Sequence, residues 1–443
     1  MIKQHITNIR NKFAGSPIIV VGPVMCLVVG LLSGAASALL KWLIGHMSEL
    51  ARSLMNIERG NWMLILLPVA GIVLTGIFCR YVLRRNIEHS SEKIKESLHK
   101  GMDNVSGKLI YGPLIASTFT LGFGGSAGSE GPIATVGAAL GGNISRKLGL
   151  SDDIVRVMIG CGAGAGIAGI FKAPVGGMLF TLECMAMPLS TLAVIGILAT
   201  CMVSSLTAYV LSGYVPDLSL ERFVPQSTHY IPAVILLGLV CGFYALYYNA
   251  TGRAVARRLG AMSNPWVRNV ASGLGVGLLL FMFPALYGEG YGVVADLMNK
   301  PDYVLGDYSP LYFLKEYHGY GLLLIAVGVL LVKGMAAYGS NSGGGVAGDF
   351  APTLFAGAIM GYVVVLAART LLHVELPMPV FVLGGMAGVM AGAVKAPLMA
   401  IFLTVEMTAS YEYLLPVSIA GILGYAVVKI AEVRKSQVLS AKQ

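Results

Sequence analysis

The chain has 443 residues, of which 56% are hydrophobic and only 12% charged, whereas a soluble globular protein carries roughly 25% charged residues. So few charges cannot cover a water-facing surface, which excludes a soluble globular protein and indicates one embedded in a lipid bilayer. The net charge of +9 comes largely from basic residues at or beyond the ends of apolar segments, for example Arg84 and Arg258. That pattern is typical of membrane topology and not of a water-exposed face that binds nucleic acid.

Long apolar stretches fill the chain, and about 20 apolar residues suffice for one membrane-spanning helix. In chain order, we predict membrane segments at residues 16–40, 61–79, 157–171, 185–216, 229–251, 269–288, 317–332, 350–368, 376–394 and 414–428. The first segment is longer than the apolar part of a signal peptide, so we expect an uncleaved first helix. The polar connectors 84–108 and 296–316 are expected to face water or the membrane interface. The 57 glycines, about 13% of the chain against roughly 7% in ordinary proteins, indicate many interrupted helices.

An internal repeat relates two parts of the chain. Lys-Ala-Pro occurs at 172–174 and again at 395–397, and a glutamate, Glu183 or Glu406, follows each copy at the same offset. Upstream of each copy, an acidic residue precedes a proline and two glycines at matching positions: Glu130, Pro132, Gly137 and Gly141, then Asp349, Pro352, Gly357 and Gly361. This duplication predicts one membrane domain over 1–443 with related halves, 16–216 and 229–431, and a substrate site between them near the bilayer midplane. We expect no cytoplasmic regulatory domain.

Glu130 is the main candidate functional residue, because an ionisable side chain within a membrane segment is costly unless it faces water or a partner. The preceding residues 124–129 are too rich in glycine for a regular helix, and Pro132 suits a first helical turn. A helix start presents unpaired N–H groups and partial positive charge, which together form an anion site without lysine or arginine. The Glu130 carboxylate would compete with an anion there, which predicts a gate and, when protonated, a proton carrier. A purely structural cap is the alternative.

A second glycine-rich stretch, residues 340–348, leads into Asp349 and Phe350. Its amides are expected to meet the same anion from the opposite half. Lys172 and Glu183 are eleven residues apart, as are Lys395 and Glu406, which is about 16 Å along a helix. These residues cannot pair within one straight helix, so a structural role at the membrane interface is expected for them. A cation transporter that uses Glu183, Asp349 and Glu406 as ligands is the alternative function.

Signals for an enzyme are weak. The sequence Gly-x-Gly-x-x-Gly at 164–169 has no preceding strand and lies in a membrane segment, so it does not indicate a dinucleotide site. The histidines form no His-Glu-x-x-His pattern, and the six cysteines sit in apolar surroundings without metal-ligand spacing, which is typical of small buried hydrophobic residues. We therefore expect no enzymatic activity, no cofactor and no metal site.

Several motifs together resemble the CLC family of chloride channels and chloride/proton antiporters. Residues 128–132 (Gly-Ser-Glu-Gly-Pro) resemble its gating-glutamate motif and residues 348–352 (Gly-Asp-Phe-Ala-Pro) its second anion-binding motif, with further similarity at 173–183 and 288–292. The resemblance implies an all-α integral membrane fold of two inverted-topology halves with tilted and re-entrant helices. It also implies a homodimer in the cell membrane, with a separate pore in each subunit that passes chloride or a similar small anion, either channel-like or coupled to protons.

The resemblance also assigns residues, with Glu130 as the gate. The implied anion-binding residues are Ser129, Gly131, Asp349, Phe350, Ala351 and, in place of the family's usual serine near the start, His89 or Ser90. The family's tyrosine near the C-terminus has no counterpart within 434–443. Glu183 and Cys184 are proton-pathway candidates, but coupled members often carry a second glutamate where this chain has Cys184, and a thiol with an ordinary pKa of about 8.5 relays protons poorly. We therefore favour a channel or a weakly coupled transporter, with antiport through water as the open alternative.

Overall fold

The computed structural model describes residues 18–53, 62–84, 87, 105–187, 190–214, 216, 218, 220, 228–300, 305 and 309–440. All regular secondary structure in these residues is helical, which confirms the all-α class. The α-helices are α1 (Ile18–Ser53), α2 (Met63–Ile77), α3 (Gly112–Gly122), α4 (Glu130–Lys147), α5 (Asp152–Phe171), α6 (Pro174–Glu183), α7 (Thr191–Leu211), α8 (Ile231–Gly260), α9 (Pro265–Met282), α10 (Tyr291–Asn299), α11 (His318–Ser342), α12 (Phe350–Leu372), α13 (Met378–Val394), α14 (Pro397–Met407) and α15 (Leu414–Ser440).

Within the described ranges, nine helices are long and apolar enough to cross a membrane: α1, α2 with its continuation Phe78–Leu83, α5, α7, α8, α9, α11, α12 and α15. The chain is thus a multi-pass integral membrane protein. Several helices run past the predicted apolar segments, as α8 does through Arg257 and Arg258. They do so because backbone hydrogen bonding continues whether or not the side chains are apolar.

The predicted segments missed five helices, namely α3, α4, α6, α10 and α14, which have 11, 18, 10, 9 and 11 residues. Predicted segment 376–394 became α13, whose 17 residues are slightly short for a full crossing. A search for charge-free stretches long enough to span a bilayer cannot find helices that are too short to span it or that contain charged residues. Of these helices, α4, α6 and α14 carry repeated motifs, so the glycine-rich and proline-containing breaks were the better guide to the fold.

The repeated Lys-Ala-Pro motif is a helix break. Lys172 ends α5 and Lys395 ends α13, each in the left-handed conformation with φ of 53° and 65°. The proline two residues later starts the next helix, where its missing N–H removes no hydrogen bond. Each lysine therefore lies outside the helix that carries the following glutamate, so the two residues of each pair do not lie on one helix.

The two lysines contact equivalent helices after the break. Lys395 Nζ forms an ion pair with Glu432 of α15 at 2.5 Å, and Lys172 Nζ lies 5.3 Å from the ring centroid of Tyr209 on α7. Because α7 follows α6 as α15 follows α14, the two breaks have matching surroundings. The succession of helices α4 to α7 thus recurs as α12 to α15.

Close helix packing repeats as well. A Cβ atom on Gly137 of α4 would lie 2.0 Å from the carbonyl oxygen of Gly162 on α5, and one on Gly357 of α12 would lie 2.2 Å from that of Gly385 on α13. Small residues let membrane helices approach until their backbones touch. The glycine spacing noted in the sequence therefore sets the distance between α4 and α5 and between α12 and α13.

We expect Gly137→Ala and Gly357→Ala each to destabilise the protein by about 1–3 kcal/mol, because the added methyl group overlaps a backbone oxygen that cannot move freely. Thermal unfolding in detergent, followed by size-exclusion chromatography, measures the effect. Gly275→Ala on α9 is the matched control, since its Cβ would meet nothing within 4 Å. Equal unfolding temperatures for all three variants and the wild type would contradict this packing argument.

Candidate functional site

Two glycine-rich loops meet at the centre of the site. The Gly128 amide donates to the Gly348 oxygen at 3.0 Å, and the Gly348 amide donates to the Gly128 oxygen at 2.6 Å. The two residues form an isolated antiparallel bridge. The structure therefore brings the starts of α4 and α12, far apart in sequence, to one place.

Further hydrogen bonds fix the two loops to each other. The Ser126 amide donates to Ser340 Oγ at 3.0 Å, and the Val346 amide donates to Thr120 Oγ1 at 3.0 Å. Each loop thus pairs an amide with a hydroxyl group from the opposite part of the chain. Such pairs matter in a membrane protein because an unpaired buried amide loses its hydrogen bond to water without replacement.

The Glu130 side chain lies between the loops and is only 1% exposed. Its Oε1 accepts hydrogen bonds from the amides of Phe350 and Ala351, the second at 3.2 Å. Glu130 is the first residue of α4, yet its carboxylate occupies the start of α12. A negative group therefore already sits where unpaired amides and the helix dipole favour an anion.

Glycine is required on both sides of this carboxylate. A Cβ on Gly128 would lie 1.9 Å from Glu130 Oε2, and one on Gly348 would lie 2.5 Å from Glu130 Oε1. The Gly131 amide lies close to Gly348 as well, at 2.7 Å from the same hypothetical Cβ. The glycines of both motifs thus leave room for a group that inserts between the two helix starts.

The other predicted anion-binding residues point to different partners. Asp349 precedes α12, and its Oδ1 accepts a hydrogen bond from Asn341 Nδ2 at 2.7 Å. The Ser129 amide and hydroxyl both donate to Glu289 Oε1, at 2.8 and 2.5 Å. In this conformation, the amides of Phe350 and Ala351 donate hydrogen bonds to the Glu130 carboxylate, whereas the Ser129 amide donates to Glu289. His89 and Ser90 lie outside the residues that the structure describes.

Glu183 and Glu406 form a reciprocal pair of helix caps. Glu183, at the end of α6, accepts from the amides of Leu398 and Met399 at the start of α14, at 3.2 and 2.8 Å. Glu406, near the end of α14, accepts from the amides of Val175 and Gly176 at the start of α6, at 3.1 and 2.8 Å. Each carboxylate therefore provides acceptors for the first amides of the other helix.

Cys184 adjoins this reciprocal pair. Its Sγ lies 3.8 Å from Met399 Sδ, so the thiol packs against the same helix start that Glu183 caps. The two predicted proton-pathway residues are thus neighbours on one side of α14. Neither of them touches Glu130 through a hydrogen bond that the structure records.

A cavity of about 480 Å³ adjoins the Glu130 carboxylate. Polar and charged side chains line part of it, and its walls include Glu130, Phe180, Arg253, Tyr338, Asp349 and Phe350. Residues of α4, α8, α11 and α12 all reach this space. It gives a small ion a place to approach the two helix starts.

Sequence reasoning missed Lys333 as a site residue. Its side chain is completely buried, and its Nζ donates to Ser126 Oγ at 2.8 Å. The predicted segment 317–332 ended one residue before it, although α11 continues to Ser342. The apolar residues on both sides of this lysine were the available signal. Glu289 was noticed only within a linking motif, and its position beside Ser129 could not be read from local sequence.

Fold and site together define the class: a membrane transport protein in which two helix starts meet at a buried carboxylate. Residues 71–429 match the profile of the family described as voltage gated chloride channel. The chain therefore belongs to this family, as the motifs predicted.

Relatives and solved structures agree with this assignment. A ClcB-like chloride channel protein of Ralstonia nicotianae is 28% identical over 375 residues, which are 82% of each chain. The H(+)/Cl(-) exchange transporter ClcA of Vibrio vulnificus is 26% identical over 413 residues, 89% of this chain and 84% of that one.

Among solved structures, a slow cyanobacterial Cl-/H+ antiporter superposes with a TM-score of 0.79 at 24% identity, covering 94% of this chain and 95% of that one. A CLC-type fluoride/proton antiporter superposes with a TM-score of 0.74 at 21% identity, covering 93% and 96%. These likenesses show that the chain has the same fold.

We expect Glu183→Ala and Glu406→Ala each to lower stability by about 1–3 kcal/mol, because each leaves two amides at a buried helix start without their acceptor. Thermal unfolding in detergent measures the loss. Glu375→Ala is the control, since Glu375 is exposed. The result that contradicts reciprocal capping is an unfolding temperature equal to that of the control in both variants.

Proposed function

We propose that the protein transports chloride or a similar small anion across the membrane and that Glu130 is the gate of this pathway. One observation carries the proposal: the Glu130 carboxylate accepts hydrogen bonds from the Phe350 and Ala351 amides at the start of a different helix. These donors suit any small anion. A carboxylate bound there is equivalent to an occupied anion site.

The mechanism follows from competition for these amides. When Glu130 is ionised, its carboxylate holds the start of α12 and excludes another anion. When it is protonated, its attraction to the amides and to the helix dipole falls, because hydrogen bonds to an ionised acceptor are about twice as strong as neutral ones. The side chain then leaves, and an anion enters between the loops. Lower pH therefore favours the open site.

The relatives include both channels and exchangers by name, so the coupling mode needs its own argument. The family resemblance places Cys184 where proton-coupled members often carry a glutamate, and its thiol packs against Met399. No carboxylate therefore follows Glu183 directly. We infer a channel or weakly coupled transporter, with Glu183 as the remaining ionisable group of the predicted proton pathway.

The structure offers no support for a cation transporter that uses the intramembrane carboxylates. Glu183 and Glu406 each accept hydrogen bonds from two backbone amides. Asp349 accepts a hydrogen bond from the side-chain amide of Asn341. A cation site needs oxygen atoms that converge on the ion, with no amide donors beside them. All three carboxylates instead accept hydrogen bonds from N–H groups, which carry a partial positive charge.

A homodimer is the assembly that we propose. Large apolar side chains are more than half exposed along α7 and α15: Leu192, Ile195, Met202, Leu206, Val210, Leu211, Leu415, Ile422, Ile430 and Val438. In a membrane protein, such faces contact lipid or another subunit. Helix α7 packs against α6 and α15 against α14, and a two-fold axis would bring the same exposed faces of two identical chains into contact.

We expect Glu130→Gln to carry chloride with a flux that no longer depends on pH, because glutamine mimics the protonated gate at every pH. Wild-type flux should rise as pH falls, since protonation releases the carboxylate from the Phe350 and Ala351 amides. Chloride efflux from reconstituted vesicles, recorded over a pH series, measures both. Glu375→Gln is the exposed control and should keep the wild-type profile. A Glu130→Gln profile identical to that of the wild type would remove Glu130 from the mechanism.

We expect a chloride gradient to drive little or no proton uptake into vesicles that contain the wild-type protein, because Cys184 is a poor proton relay. Chloride and proton movements are recorded together with two electrodes. Cys184→Glu tests the same point from the other side, and any increase in proton uptake would place this position on the proton route. Uphill proton movement at a fixed ratio to chloride in the wild type would show antiport and contradict weak coupling.

A further inference from the structure

Lys333 is a completely buried lysine in the middle of membrane helix α11. Its Nζ donates to Ser126 Oγ at 2.8 Å and lies 4.6 Å from the ring centroid of Phe355. In the described part of the chain, no carboxylate lies within ion-pair distance of this Nζ. Among the described residues, its recorded partners are this hydroxyl group and this ring face.

A buried ammonium group in this setting calls for a counter-charge. Removing a lysine from water carries a large penalty, which hydrogen bonding to one hydroxyl and contact with an aromatic face offset only in part. Membrane proteins keep such residues mainly where they face a partner, a cavity or an ion pathway. The role of Lys333 therefore depends on which negative group balances its charge.

The position of Lys333 links it to the anion site. Ser126 belongs to the first glycine-rich loop, two residues before the bridge at Gly128, and Phe355 lies on α12, five residues after Phe350. The ammonium group thus lies between the two elements that present the site. Lys333 forms no ion pair with Glu130, so its charge acts on that carboxylate only at longer range.

We propose that Lys333 is a fixed positive charge of the anion pathway, which stabilises whichever negative group occupies the amides at the start of α12. When the gate is closed, that group is the Glu130 carboxylate. When Glu130 leaves, the transported anion takes its place and restores the charge balance. Lys333 is thus a specificity-determining residue for anions, and this inference rests on the proposed function.

The proposal has a signature that a merely structural lysine lacks. Because Lys333 attracts both competitors, its loss weakens the carboxylate and the anion together, and the effect on anion binding partly cancels in the wild type. In a Glu130→Gln background only the anion depends on the charge. Removing the charge should therefore reduce chloride binding more in that background than in the native one.

The test measures chloride binding to the purified protein by isothermal titration calorimetry. In the Glu130→Gln background, we expect Lys333→Met to raise the Kd for chloride roughly tenfold or more, and Lys333→Arg to stay within about threefold. Lys300→Met is the matched control, because it also removes one positive charge but from an exposed ion pair with Asp296. Size-exclusion chromatography establishes that each variant is folded, and Lys333→Gln replaces the methionine variant if that one is not.

Two other outcomes overturn the inference. If Lys333→Met binds chloride as tightly as its parent, the charge has no role in binding. If Ser126→Ala, which keeps the charge, weakens binding as much as Lys333→Met, the lysine only holds the loop. Failure of the proposed function is distinguishable, because the Glu130→Gln parent would then bind no chloride and the wild type would carry no chloride flux.

Discussion

The structure depends on one constraint: a helix that begins inside a bilayer must find acceptors for its first amides where there is no water. Four helices, α4, α6, α12 and α14, solve this problem in the same way, with a carboxylate from another part of the chain. Glu289, Glu406, Glu130 and Glu183 fill these places in that order. Of the four, Glu130 lies between the two glycine-rich loops and lines a cavity. If Glu130 exchanges with an anion, as proposed above, the same acceptor position that completes the fold is also the binding site.

Glycine makes this arrangement possible at two scales. At helix contacts, Gly137 and Gly357 let α4 approach α5 and α12 approach α13 until their backbones touch. At the loops, Gly128 and Gly348 leave space for a carboxylate between two chains that are already hydrogen-bonded to each other. Larger residues at either scale would separate the two helix starts. The high glycine content thus has a mechanical cause in close packing, in addition to its role in interrupting helices.

Much of the fold and part of the site could be predicted from local sequence. The glycine-rich run before Glu130 and the proline after it indicate a helix start, and the same signs precede Phe350. Other features depend on distant contacts: Glu183 caps an amide 216 residues away, which no local pattern reveals. Lys333 was missed because the predicted segment 317–332 ended at the first charged residue, whereas helix α11 continues past it. The left-handed conformation of Lys172 could not be predicted, because lysine has no special preference for it.

The reciprocal caps of Glu183 and Glu406 have a consequence for biogenesis. The Val175 amide donates to Glu406, which follows it in the chain by 231 residues. At ordinary rates of translation, Glu406 is synthesised about 10 to 50 s after Val175. Until Glu406 is synthesised, the start of α6 lacks this acceptor. The native packing of α6 against α14 therefore cannot form before α14 has been synthesised.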